Sequence, residues 1–183
     1  IRDKFFIFIF YLLWSINLPI GEKIIRKLCE ILIGRIVVRA HSIKYTLIDP
    51  ESFFIVLPYY EASIWNYLKP EKGEVFIDVG AHIGKYTLQV AKIVGDRGLV
   101  IAIEPSPENF QVLQRNIKLN GFKNIIALNI AAWNSETELK LYKGASSELY
   151  SVKIKRSPKY VKVHARPLDD VLNELNIKNV DWI

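Results

Sequence analysis

An apolar run that ends in a glycine turn and leads into a helical pattern constrains the fold of this chain most strongly. Residues 75–79 are apolar except for Asp78, and residues 80–84 form the turn Gly-Ala-His-Ile-Gly ahead of the helical pattern. A second apolar run, residues 99–103, is followed directly by Glu104. This order is typical of a nucleotide-binding βαβ unit, in which glycines let the backbone approach a ligand and an acid after the second strand binds ribose hydroxyls.

Strand and helix patterns continue to alternate beyond Glu104. The predicted elements are a helix ending at 120–121, a strand over 125–129, a helix over 168–175 and a strand from 180. Two further strands, 137–142 and 159–164, are predicted to pair as a hairpin-like excursion around the basic loop 144–158. The alternation favours an α/β fold with a doubly wound, mostly parallel, Rossmann-like sheet that carries helices on both faces.

Short apolar runs also precede the glycine turn. They predict a small β meander with strands over 36–39, 44–48 and 53–57, followed by a helix over 61–68. The predicted organisation is an N-terminal helical extension over 1–35, the meander and helix over 36–72, and a main domain over 73–183.

The N-terminal extension combines an apolar segment with an amphipathic one. Residues 5–20 are almost wholly apolar, but a membrane-spanning helix needs about 20 apolar residues and this run is shorter. Residues 22–33 predict an amphipathic helix. Two interpretations stay open: the segments pack on their own domain or a partner, or residues 5–33 contact a membrane surface.

Composition limits the classes of site and compartment. The single cysteine, Cys29, excludes a disulfide framework and a cysteine cluster for zinc, and we expect no metal site. A reducing compartment, the cytoplasm, is predicted. The net charge of +6 permits contact with anionic lipid or nucleic acid but requires neither. The absence of methionine indicates that Ile1 is not the natural start, and the apolar end over 180–183 indicates a chain truncated at its C-terminus.

The spacing of the glycines indicates which kind of cofactor can bind. The turn reads D-x-G-x-x-x-G, so His82 stands where a dinucleotide fingerprint has the glycine beneath the pyrophosphate. Asp78 would add a negative charge close to that pyrophosphate. An anionic dinucleotide is therefore disfavoured, whereas S-adenosylmethionine, with its sulfonium and ammonium groups, would be attracted by the carboxylate.

Several segments together carry a family resemblance. Residues 74–88, 100–108 and 116–121 resemble class I S-adenosylmethionine-dependent methyltransferases, and within that class the FkbM family is the most similar. The resemblance extends to Tyr60-Glu61 and to segments 129–133, 167–170 and 180–183. Two departures are His82, where the family more often has asparagine, and Arg166-Pro167, where a threonine is common.

The resemblance implies a set of cofactor-binding residues: Asp78, Gly80, Ala81, His82, Gly84, Glu104, Ser106, Asn129 and Ala131. Asp78 would hold the ammonium group of the cofactor, and Glu104 would accept hydrogen bonds from both ribose hydroxyls. The turn from Gly80 to Gly84 would leave room for the methionine portion. Ser106 would flank the adenine or simply cap the following helix, and the two roles are left open. The resemblance also implies that Asn129 and Ala131 lie near the adenine edge.

The family also implies an acceptor, a hydroxyl of a sugar, glycan or secondary metabolite. The catalytic base is not assigned by the sequence. The leading candidates are Glu61 and His82, followed by Asp169, Asp170 and His164; for each of the five, a surface or capping role is favoured over catalysis. Two alternative functions stay open: an RNA methyltransferase, and a non-catalytic, membrane-associated module that binds the cofactor.

Overall fold

The computed structural model describes residues 37–144, 146–155 and 157–183. The predicted N-terminal extension, with its segments 5–20 and 22–33, lies outside the described residues and is not tested. Within the described ranges, no helix combines the length and the apolar character needed to cross a bilayer.

The described chain begins with a β-hairpin and a short helix. Strands β1 (Val37–Ala40) and β2 (Ile43–Thr46) pair antiparallel, and helix α1 spans Pro50–Ile55. The third strand predicted over 53–57 is wrong, because residues 53–55 belong to α1 and residues 56–57 form the turn that follows it. Asp49 caps the helix and Pro50 occupies its first turn, a pair of signals that favours a helix start over a strand.

A parallel sheet forms the centre of the molecule. Its strands are β3 (Val75–Val79), β4 (Leu99–Ile103) and β5 (Ile125–Leu128), in the order β3-β4-β5. All three agree with the sequence prediction to within one residue. The predicted strand from Val180 contributes one parallel bridge, between Phe76 and Trp182 on the free side of β3.

Helices cover both faces of this sheet. Helices α2 (Lys85–Val94) and α3 (Pro107–Asn120) pack on one face, and α4 (Leu168–Glu174) packs on the other. Phe76 points to the α2 side, whereas its neighbour Ile77 points to the α4 side, as the alternation of side chains along a strand requires. The predicted doubly wound arrangement is confirmed.

The remaining described elements are two 3-10 helices and a second sheet. A 3-10 helix, Ala62–Asn66, occupies part of the helix predicted over 61–68. A second sheet has the order β6-β8-β7, formed by β6 (Ala131–Ala132), β7 (Thr137–Tyr142) and β8 (Tyr160–Arg166). Strands β7 and β8 are antiparallel, which confirms the predicted excursion. The loop between them carries a short 3-10 helix, Ser147–Leu149.

Candidate cofactor site

The glycine turn is fastened to the end of the neighbouring strand. The backbone N–H groups of Gly80 and Ala81 donate to the carbonyl oxygen of Ile103, at 2.8 and 3.0 Å. Gly80 and Gly84 have φ angles of +87° and +95°, a region that favours glycine. A Cβ on Gly80 would meet no atom within 4 Å, so the space around this part of the turn is open.

The two glycines of the turn are expected to respond differently to alanine. In Gly84→Ala the new Cβ would lie 2.8 Å from Cδ1 of the fully buried Leu113, so strain and overpacking together cost about 2–4 kcal/mol of unfolding free energy. Gly80→Ala carries only the backbone penalty, about 1–2 kcal/mol. Urea unfolding of both variants measures the difference. Equal losses would contradict the close packing at Gly84.

Glu104 lies at the junction of the turn and α3. Its side chain is 4% exposed. One carboxylate oxygen accepts from the N–H of His82 at 2.8 Å, and the other accepts from the N–H of Ser106 at 2.8 Å and the amide of Asn109 at 3.3 Å. A carboxylate offers about four acceptor positions. Glu104 therefore orders the turn while keeping limited acceptor capacity for a ligand.

Asp78, the last but one residue of β3, is the second buried carboxylate of the site. It is 9% exposed, and its Oδ2 accepts from the hydroxyl of Thr87 in α2. Burial raises the pKa of Asp78, and the bonds from Thr87 oppose that rise. Burial likewise raises the pKa of Glu104, and the negative charge of Asp78 raises it further. The structure thus brings these two predicted residues close enough to repel each other.

The electrostatics of this pair fit a cationic ligand. The donors to Asp78 and Glu104 are neutral: a hydroxyl, three backbone N–H groups and a side-chain amide. Their negative charges are therefore left for a ligand, and an approaching sulfonium or ammonium would lower both raised pKa values. The open space at Gly80 adds room for that ligand beside the backbone. The residues present fit S-adenosylmethionine.

His82 links the turn to the loop between β7 and β8. Its backbone has φ +52°, and its Nε2 lies 2.6 Å from the hydroxyl of Ser147. Ser147 also donates its N–H to Asp49 at 2.9 Å and accepts from the amide of Asn109 at 3.4 Å. The His82 side chain is thereby engaged by the loop.

The other predicted cofactor residues have structural roles in this arrangement. Ser106 is fully buried and caps α3, accepting from the N–H of Asn109. Asn129 donates its amide to the carbonyl oxygens of Glu104 and Pro105, at 2.7 and 3.1 Å. Ala131 is buried in β6, in register with Ala165 of β8. Contacts of these residues with an adenine stay predictions.

A buried lysine organises a second cluster beside the turn. Lys85, the first residue of α2, is 5% exposed. Its ammonium donates to the carbonyl oxygen of Tyr60 at 2.7 Å and to the carboxylate of Glu61 at 3.1 Å. Tyr86 donates its hydroxyl to the same Glu61 oxygen at 2.8 Å. Burial lowers the pKa of Lys85, and Glu61 opposes that change.

The remaining candidate bases occupy exposed positions. Asp169 and Asp170 lie in the first turn of α4, where negative charge favours the helix. His164 projects from β8 and lies 3.3 Å from Glu136. In the part of the chain that the structure describes, no group of His, Cys, Asp or Glu is arranged to hold a metal ion.

A cavity of about 490 Å³ runs along β3. Its lining is mainly aromatic and aliphatic and includes Tyr67, Tyr86 and Trp182, with Asp78 contributing a carboxylate. Asp78 and Tyr86, which flank the glycine turn in the sequence, both line this cavity.

The sequence did not predict five residues of the site: Lys85, Tyr86, Thr87, Asn109 and Ser147. A signal existed for Asn109, which is the third residue after the helix cap Ser106, where a cap finds its partner. No sequence signal pointed to Ser147, because it contacts the site only when the loop between β7 and β8 folds against the glycine turn.

A family model described as the Methyltransferase FkbM domain matches residues 78–183. The chain is 31% identical over 74 residues to protein-L-isoaspartate O-methyltransferase 1 of Archaeoglobus fulgidus, covering 40% of this chain and 34% of that protein. It is 42% identical over 69 residues to a tRNA(Phe) (4-demethylwyosine(37)-C(7)) aminocarboxypropyltransferase of Methanocaldococcus jannaschii, covering 38% and 26%.

Among solved structures, the methyltransferase FkbM of Methylobacillus flagellatus is similar with a TM-score of 0.40 and 20% identity, covering 64% of this chain and 27% of that chain. The chain thus spans about a third or less of the length of these relatives.

Proposed function

Because the chain belongs to the FkbM methyltransferase family, we propose that it transfers a methyl group from S-adenosylmethionine to a hydroxyl oxygen of a sugar, a glycan or another small-molecule acceptor. The observation that carries the proposal is the pair of buried carboxylates, Asp78 and Glu104, at the ends of adjacent parallel strands beside an open glycine turn. The choice of a hydroxyl acceptor rests on the family resemblance.

Different residues bind different parts of the cofactor. Asp78 holds the ammonium group, Glu104 accepts from the ribose, and the open turn at Gly80 accommodates the methionine portion. When bound, the cofactor supplies a methyl group on a sulfonium: the acceptor oxygen forms the new bond to carbon, and the carbon–sulfur electron pair stays on sulfur. The chain's own task is to align the acceptor and exclude water, which contributes several kcal/mol through orientation.

An alcohol acceptor must also lose its proton, and Glu61 is the better placed of the two leading candidates. Its side chain is 44% exposed, and Lys85 and Tyr86 hold the carboxylate in one position beside the turn. His82 already shares its Nε2 with Ser147. We therefore assign Glu61 the role of accepting the hydroxyl proton.

Glu61→Gln is expected to lower kcat by about 10²- to 10⁴-fold, the usual contribution of a general base, and to leave binding of S-adenosylhomocysteine unchanged. Transfer of a labelled methyl group into a lipid-glycan fraction measures the first quantity, and calorimetric titration measures the second. The matched control is Glu138→Gln, which removes a surface carboxylate paired with Lys162 at 2.7 Å.

Three results would contradict parts of this proposal. Label that enters only an RNA fraction would establish the RNA methyltransferase instead. Cofactor binding without transfer to any fraction would favour the non-catalytic module. Full kcat in Glu61→Gln would remove Glu61 from the reaction while leaving the cofactor site intact.

A further inference from the structure

The loop between β7 and β8 is rich in basic residues. We call residues 143–159 the basic loop; it carries five Lys or Arg residues and one Glu. Lys153, Lys155 and Lys159 are all exposed. Lys143 is ion-paired with Glu108 of α3, so the three exposed lysines are the residues that indicate an anionic partner.

The cofactor site does not account for this charge. The site itself is built from Asp78 and Glu104, and the cofactor that fits it is a cation. A basic surface neither attracts nor holds such a ligand. The loop nevertheless contacts the site, because Ser147 bonds to His82 and Asn109. Whatever binds the basic loop is therefore brought next to the cofactor site.

The exposed apolar side chains of the loop narrow the kind of partner. Ile154 is 53% exposed between Lys153 and Lys155, and Leu149 is 36% exposed. Trp133 lies beneath the ammonium of Lys153, 5.8 Å from its ring centre. Exposed aliphatic residues flanked by lysines are typical of segments that lie in the interface of an anionic membrane.

The aromatic rings are less suited to a nucleic acid. Binding of single-stranded RNA requires ring faces that are free to stack on bases. Tyr142 and Tyr160 pack edge to face against each other, and Lys140 lies over the Tyr160 ring. Tyr150 lies beneath Lys143 and donates its hydroxyl to Glu108.

The start of the described fold lies near the basic loop. Val37, the first described residue, pairs with Thr46 of β2. Asp49 follows three residues later and accepts from the N–H of Ser147. These steps place Val37 within about 15–20 Å of the basic loop.

From the exposed lysines, the exposed Ile154 and the contact of the loop with the cofactor site, we propose that the basic loop docks on an anionic lipid bilayer. Docking would turn the cofactor site towards the membrane surface. Lysines of the loop bind lipid phosphates and carboxylates, and Ile154 enters the interface. This docking does not depend on the methyltransferase activity, so it is tested without an assay of turnover.

The test compares co-sedimentation of the full chain with phosphatidylcholine vesicles and with vesicles that contain about 30% phosphatidylserine. The variant K153E/K155E/K159E changes the net charge from +6 to +6 − 6 = 0. It is expected to lose the preference for anionic vesicles by on the order of tenfold or more, given the contribution of each basic residue near such a surface. Ile154→Ser is expected to weaken binding to the anionic vesicles more modestly.

The matched control is K72E/R97E/K123E, which makes the same change of charge in exposed loops that lead into β3, β4 and β5, at the opposite ends of the strands. This control is expected to keep the preference for anionic vesicles. Equal loss in both triple variants would show a general effect of net charge and overturn the docking site. A wild-type chain that ignores phosphatidylserine but binds a labelled single-stranded RNA through the loop would also overturn it.

Discussion

Glu104→Ala is expected to abolish measurable binding of S-adenosylhomocysteine and to lower the free energy of unfolding by about 2 kcal/mol. The N–H groups of His82 and Ser106 both donate to this carboxylate, and each buried donor left without an acceptor costs about 1–3 kcal/mol. Removal of a carboxylate whose pKa is raised by burial offsets part of that cost. Calorimetric titration and urea unfolding, run on the same preparation, measure the two effects.

The control for this prediction is Glu136→Ala. It removes a surface glutamate that lies against His164, and we expect affinity and stability close to those of the wild type. A folded Glu104→Ala protein that binds S-adenosylhomocysteine normally would show that the ribose is held elsewhere. Loss of stability with unchanged affinity would leave Glu104 only its role in ordering the turn.

Asn116→Ala is expected to cause the largest loss of stability among these substitutions, about 3–5 kcal/mol. The fully buried Asn116 side chain of α3 accepts from the N–H and hydroxyl of Thr46 and donates to the carbonyl oxygens of Thr46 and Ile83. Alanine leaves several of these buried groups without partners. Since Ile83 belongs to the glycine turn, binding of S-adenosylhomocysteine should weaken even below the unfolding temperature.

Asn120→Ala provides the matched comparison one helical turn further along α3. Asn120 makes similar bonds to the backbone of Lys44, but it is only partly buried. Water can replace those bonds, so we expect a loss of about 1 kcal/mol and normal binding. Thermal and urea unfolding of both variants supply the test. Equal losses would show that the bonds of Asn116 are also replaced by water.

Local pattern was sufficient for the elements that surround the glycine turn. Strands β3 and β4 are apolar runs bounded by turn residues, and α2 and α3 show helical periodicity and glycine ends. The run 53–57 was harder, because a short apolar segment fits a strand or a helix equally well. There the cap by Asp49 and the position of Pro50 decided for the helix.

The candidate site was also predicted only in part. Asp78 and Glu104 were predicted together because they stand at the ends of neighbouring parallel strands, and the carboxyl ends of such strands meet at one edge of the sheet. The network around them was not predicted. Thr87 and Asn109 reach the carboxylates from helices, and Ser147 arrives from a loop some 65 residues beyond His82.

The sequence by itself determined the βαβ framework, the family and the pair of acids that a cationic cofactor requires, because strand ends, glycine turns and periodicity are local properties of the chain. Only the tertiary structure decided how far those acids are desolvated, that Lys85 holds Glu61, and that the basic loop lies beside the cofactor site. Burial and long-range hydrogen bonds arise when distant segments pack, and no local pattern records which segments will meet.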